Sequence, residues 1–435
     1  MPNLSRREFG VLAFVSLAAT TRATPQRPSV AVNGARLTDR LTALSRFGAS
    51  PKGGVSRLAY SQADIDAREG VASWMREAAL DVRIDAAGNI VGHRKGTEPS
   101  ARPIVFGSHI DSVPDAGNFD GNVGSMAAIE VAQTLADRGL VTRHPVEVVI
   151  WSNEEGGLYG SRAWSGQLTS EDLAQTSGSG VRIDEGMRRI GGDPARLGEV
   201  KRASGDIAAY FELHVEQGGI LDAARIDIGI VEGIVGIREW EVTIGGVANH
   251  AGTTPMDRRH DALLTAARFV ELVNRVVRSE SGSQVGTVGR IQAWPGAPNV
   301  IPGRVVCTLE LRDLDDGTIA RLYDRIREES AALGALNETT FEFASREVNV
   351  SARTDPRLRA IVGASAEALG LSTRVMPSGA GHDAQSMARL CPMAMIFIPS
   401  AGGISHSPRE FSTPGDIVNG ANVLLGCVLA ADRTL

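Results

Sequence analysis

Four short, largely apolar runs, at residues 104–108, 146–151, 207–213 and 393–398, constrain this chain more than any other feature. Their apolar residues are consecutive rather than alternating, the pattern of strands buried on both faces. Segments with apolar positions at three- and four-residue spacing, near 64–79, 124–137, 355–369 and from 416 onward, predict helices around them. The reading is an α/β fold built on a mostly parallel sheet. Sheets of this kind form ligand sites just beyond the carboxyl ends of their strands.

Those ends are chemically loaded. The first run leads into Gly107-Ser108-His109-Ile110-Asp111, then through a Gly-rich turn to Phe119-Asp120-Gly121. The second is followed by Asn153-Glu154-Glu155-Gly156, the third by His214-Val215-Glu216-Gln217-Gly218, and the fourth by Ile404-Ser405-His406-Ser407-Pro408. Each motif alone has an ordinary explanation. A lone His is usually a hydrogen-bonded core or surface group, an Asp at a helix start is a cap, and Glu154-Glu155 reads as a solvated pair. Four such motifs at four strand ends are not explained one by one. Histidines with Asp and Glu, and no Cys, suit a hydrolytic metal centre of Zn, Mn or Co type.

The 435 residues exceed the roughly 250–300 at which a single core stops growing, which predicts two units. Between the third and fourth runs the periodicity changes. A strand at 238–244 precedes a helix at 261–277, whose Leu263, Ala266, Val270, Val273 and Val277 form one apolar stripe. Strands at 285–292 and 304–312, a helix at 318–333 and a strand at 340–347 follow. The order β-α-β-β-α-β is that of a ferredoxin-like α+β unit. We therefore expect an inserted lid or dimerisation domain at 230–347, within a catalytic domain made of 32–229 and 348–435. Alternation along 305–312 puts Arg312 on the face away from the helices, open to a ligand or partner.

A formal net charge of −6 with no basic block argues against nucleic acid and anionic membranes, and favours a small-molecule substrate. No apolar run approaches the ~18–20 residues of a membrane span. Cys307, Cys391 and Cys427 are widely spaced and odd in number, as expected of buried structural thiols rather than a disulfide framework. Ser5-Arg6-Arg7-Glu8-Phe9, followed by a short apolar stretch and Thr21-Arg22-Ala23, reads as a twin-arginine signal peptide over 1–23. Its removal takes away three Arg and one Glu and leaves a mature chain of charge −8. Export implies a periplasmic or secreted protein.

The motifs GSHIDSV (107–113), FDGNVG (119–124), NEEG (153–156), ELHVEQG (212–218), NHAGTTPM (249–256), NVIPG (299–303), SGAGHDA (378–384) and ISHSP (404–408) span nearly the whole mature chain. Together they resemble the dinuclear-zinc aminoacylase and carboxypeptidase superfamily, most closely its carbamoylase branch of N-carbamoyl-L-amino acid hydrolases, allantoate amidohydrolases and β-ureidopropionases. The resemblance implies two divalent ions per subunit, Zn or Mn with Co or Ni as alternatives. Asp120 would bridge them, with His109 and His214 on one ion and Glu155 and His406 on the other. Asp111 would orient a ligating imidazole and Glu154 would be the general base. His250 would stabilise the oxyanion, and Asn299 and Arg312 would hold a substrate carboxylate, with Gln217 and His382 as further contacts. In the family His250 and Asn299 come from the neighbouring subunit, so a homodimer is implied. Gly219, Ala116-Gly117 and Leu158-Tyr159 depart from the usual Pro, Gly-Gly and Arg-Phe, which bears on the pocket wall and hence on substrate identity. The expected activity is hydrolysis of the carbamoyl C–N bond of an N-carbamoyl-L-amino acid. Allantoate hydrolysis, aminoacylase or peptidase activity, and a non-catalytic binding protein are the competing readings, and Glu154 argues against the last.

Overall fold

A computed structural model describes residues 30–435, so the expected signal peptide lies outside the described residues. Strands Val146–Trp151, Ile104–His109, Ala209–Val215 and Met393–Ile398 are adjacent and parallel at the centre of a nine-stranded sheet. Alternate residues feed two cores. Phe106, Val148, Ile150, Phe211 and Ile396 face helices Asn122–Asp137 and Pro414–Thr434, while Val105, Val149, Trp151, Tyr210 and Phe397 join Trp164 and Met387 on the other face. Burial on both faces is why these strands read as unbroken apolar runs.

The sheet is mixed rather than mostly parallel. Asp81–Ile84 and Ile90–Arg94 form a hairpin across a short turn at 85–89, which forces antiparallel pairing, and Ile90–Arg94 also runs antiparallel to Val146–Trp151. On the other side Ile228–Ile234 is antiparallel to Met393–Ile398 but parallel to Thr373–Ser378. Ile228–Ile234 thus belongs to the large sheet, and the chain crosses into the second unit at Gly236, later than the expected 230.

That unit is an antiparallel sheet in the order Ile291–Trp294, Arg304–Asp313, Gly236–Gly245, Thr340–Asn349, with Val285–Thr287 also pairing to Arg304–Asp313. Helices Ala262–Ser279 and Asp316–Asn337 pack on one face, over Val305, Cys307, Leu309 and Leu311. In the first helix the expected stripe is rotated. Leu263 and Val270 are 40% and 39% exposed, while Ala262, Ala266, Phe269, Val273 and Val276 are buried. Phe269 sets this phase by inserting its ring beside Phe341 and Phe343, at centroid distances of 5.6 and 6.2 Å.

Contrary to the expectation from run length, helix Pro414–Thr434 is long and apolar enough to cross a membrane. Its apolar positions are accounted for within the fold. Ile417, Ala421, Leu424, Val428 and Ala431 are buried in the core beneath the sheet. All three cysteines are buried and unpaired.

Candidate active site

His109 ends one central strand, and His214 lies within its neighbour, which extends to Val215 rather than stopping at the expected 213. Between them sits Asp120, on a turn that needs Gly121. This glycine has φ +64°, and a Cβ there would lie 2.3 Å from His109 Nε2. The two Asp120 oxygens face in different directions. Oδ1 is 3.1 Å from His214 Nε2 and 3.6 Å from His109 Nε2. Oδ2 is 3.1 Å from His406 Nε2, which in turn is 3.6 Å from Glu155 Oε2. The five expected ligands therefore form two groups that share one carboxylate.

The protonation of the rings follows from their other nitrogens. His109 Nδ1 is 3.1 Å from the Asp111 carbonyl and His214 Nδ1 is 2.9 Å from the Val215 carbonyl, so each Nδ1 carries the proton and donates. Each Nε2 then faces Asp120. A cation belongs between each Nε2 and the carboxylate, a proton in the metal-free site or a divalent ion, and the Glu155 Oε1 atom is buried with no hydrogen-bond partner. The residues fit divalent ions with nitrogen and oxygen preference. A third group, Glu212, His214 and His382, also brings ligand atoms together. Its carboxylate is already satisfied by Ser108 Oγ (2.8 Å), Tyr210 Oη (3.1 Å) and the Ala384 amide (3.0 Å), so it backs the centre rather than competing with it.

Burial and charge crowding polarise the site. Burial, with Asp120 adding repulsion, pushes Glu155 up to about 7. Burial also holds Glu154 well above the usual carboxylate range, against the pull of His109. For Asp120, burial opposes the charge, but His109, His214 and His406 hold it well below the usual range. Strained backbone collects here as well: Asn153, Gln217 and His406 all have positive φ, near 50–59°.

The other expected residues fall in three places. Asp111 is buried beside His109, but its carboxylate is 3.7 Å from Nδ1 and instead accepts the amides of Glu154 and Glu155, both at 3.2 Å. It orients the Glu-Glu turn, while its own carbonyl orients the imidazole. Gln217 Nε2 donates to Asp120 Oδ2 (2.7 Å), and His382 packs edge-on against His214 with Nε2 on Ser378 Oγ (2.8 Å). His250 lies exposed on a two-stranded ribbon of the inserted unit and Asn299 beside it, and among the described residues no hydrogen bond or ion pair joins either to the ligand cluster. Arg312 faces away from the helices as alternation predicts, yet it is engaged. Its Nε and Nη2 grip Glu310 (2.8 and 3.1 Å) and Nη1 donates to the Gly379 carbonyl across to the catalytic domain (2.7 Å).

Sequence reasoning passed over Ser405 and Glu410, which touch Asp120 and its turn. Glu410 follows an arginine two residues beyond the ISHSP motif and reads as half of a surface charge pair, although it is buried.

The model of peptidase family M20/M25/M40 matches residues 105–430. The chain is 42% identical over 410 residues to an N-carbamoyl-L-amino acid amidohydrolase of Geobacillus stearothermophilus, covering 90% of this chain and 97% of the relative. It is 35% identical over 401 residues to an allantoate amidohydrolase of Bacillus subtilis, covering 89% and 95%. A solved amidase of the hydantoinase/carbamoylase family from Burkholderia multivorans has a TM-score of 0.86 at 40% identity, over 93% of this chain and 99% of that one. The match runs through both parts of the large sheet and across the whole insertion, with relatives aligned almost end to end, and so the chain belongs to peptidase family M20/M25/M40.

Proposed function

We propose that this chain is a metal-dependent amidohydrolase that cleaves the carbamoyl or ureido C–N bond of an N-carbamoyl-L-amino acid or a similar small substrate. The observation that carries the reading is Asp120, whose two oxygens each face a different set of ligands while Glu154 Oε2 stands beside them, 3.7 Å from His109 Nε2. The bond type is supported by the names of the relatives, which act on carbamoyl amino acids and allantoate. Two divalent ions, Zn or Mn, would be held by His109, Asp120 and His214 and by Asp120, Glu155 and His406. Bound there, they supply Lewis acidity toward water and toward a carbonyl oxygen.

Glu154 does the proton work. Its amide is pinned by Asp111 and its carboxyl is buried beside the ligand cluster, where a positioned carboxylate takes and returns a proton. It takes the proton of the attacking water and delivers it to the leaving nitrogen. His250 Nδ1 accepts the amides of Gly252 (3.0 Å) and Thr253 (3.2 Å), which leaves the proton on Nε2, ready to donate to a developing oxyanion. Arg312 and Asn299 hold the substrate carboxylate. His250 and Asn299 act on the site of a second copy, which makes the functional unit a homodimer. The leader at 1–23 directs the folded protein through the twin-arginine route to the periplasm or beyond.

The test is release of ammonia and free amino acid by metal-loaded protein over N-carbamoyl amino acids, allantoate and N-acyl amino acids. Ammonia from carbamoyl amino acids is expected. A preference for allantoate would keep the bond class and change the substrate, and turnover of N-acyl amino acids alone would refute the proposal.

A further inference from the structure

We infer that Glu410 is a positioning residue for the metal centre: it fixes Asp120, through its backbone and through Ser405, relative to the loop that carries His406. The inference rests on the reading of Asp120 and His406 as ligands. Glu410 is 4% exposed, and its Oε1 accepts the amides of both Phe119 and Asp120 at 2.9 Å. Ser405 Oγ lies between Glu410 Oε2 (3.0 Å) and Asp120 Oδ2 (3.2 Å), so one hydroxyl is shared by the two carboxylates. The Glu410 amide donates to the Ser407 carbonyl (2.9 Å), closing a turn that folds the side chain back beneath Ser405 and His406.

One side chain thus ties together two ligands that lie 286 residues apart, Asp120 and His406. The packing is made for it. A Cβ on Gly117 would sit 2.3 Å from Glu410 Cβ and 2.6 Å from Oε1, so the glycine is the space the carboxylate needs. Among the described residues no other side-chain acceptor takes the Asp120 amide, so Glu410 fixes the backbone of Asp120 while Gln217 Nε2 holds its Oδ2. Glu410 also lines a cavity of about 450 Å³ with Phe119, Phe411 and Leu41. Truncation would therefore let water reach the two amides, and the fold should survive while the geometry does not.

The experiment uses the full mature chain loaded with Co(II), read by its visible absorption and by competition with a chelator. Positioning partners of metal ligands typically contribute 10- to 100-fold in affinity. Glu410→Ala is expected to lose cobalt 10- to 100-fold more readily than wild type and to shift the absorption bands, with Ser405→Ala smaller in the same direction. Glu410→Gln keeps the shape and one acceptor oxygen for the two amides and should recover only part of the loss, whereas a merely space-filling role would be recovered in full. Cobalt affinity and bands equal to wild type in Glu410→Ala would overturn the inference. Should Glu410→Ala fail to fold, the same equality in Glu410→Gln together with Ser405→Ala would overturn it. Absence of cobalt binding in wild type would instead sink the metal reading on which it stands.

Discussion

Replacing Arg312 by Ala tests how the substrate carboxylate is recognised, and the structure sets the size of the effect. The guanidinium has five N–H donors. Two are committed to Glu310 and one to the Gly379 carbonyl, which leaves one on each of Nη1 and Nη2 for a substrate carboxylate. Two hydrogen bonds to charge contribute about 1.5–3 kcal/mol each. Those two bonds would sum to about 3–6 kcal/mol, but the side chain is 29% exposed and already shares its charge with Glu310, so we discount the total to about 2–3 kcal/mol, at or below the lower end of that sum. That corresponds to roughly 30- to 160-fold in kcat/KM. Loss of the partly exposed ion pair itself should cost under about 1 kcal/mol, a Tm change of at most about 4 °C. The assay is kcat/KM on an N-carbamoyl amino acid and on its carboxamide. Wild type should prefer the acid and Arg312→Ala should lose that preference, whereas Glu310→Gln should lower KM for the acid by removing a competing anion. Equal loss on both substrates, or no loss on either, would place the carboxylate elsewhere and refute the reasoning.

Elemental analysis of reconstituted protein should find two divalent ions per chain, and one or none would contradict the shared role of Asp120. Glu154→Gln should keep both ions and the fold but lose about 10²- to 10⁴-fold in turnover, checked by steady-state kinetics beside metal content. Gly121→Ala should cost about 1–3 kcal/mol in denaturant unfolding and weaken metal binding, since the new methyl meets the His109 ring at a positive φ. Metal-free protein should lose stability with rising pH. Glu155, raised from 4.5 to about 7, and His406, raised from 6.5 to about 9, both stabilise the fold when protonated, fully so below their unfolded values and no longer above their folded ones. Chelated protein should therefore show a falling Tm between pH 4.5 and 9, a fall that loading with divalent ions suppresses. A flat profile for the chelated form would argue against it.

Much of this protein is written locally. Residues 104–108, 146–151 and 393–398 show a strand buried on both faces because consecutive apolar positions have no other economical use in an α/β fold. The ferredoxin-like order of the insertion follows from elements whose periods switch between 2 and 3.6, and ligands at strand ends follow from where open sheets leave room. What periodicity encodes is which face is buried, and it carries no record of what lies across that face. Only the tertiary structure decided that the sheet's flanks run antiparallel, that Phe269 rather than Leu263 turns the helix Ala262–Ser279 inward, and that Asp111 holds amides with its carboxylate and the imidazole with its carbonyl. The same holds for Arg312, whose partner Glu310 is a neighbour on its strand but whose Gly379 contact is 67 residues away, and for Glu410, buried beneath Asp120 at a separation of 290. Such contacts leave no local pattern, because their free energy comes from desolvation and hydrogen bonds that exist only once the sheet has brought the two ends of the chain together.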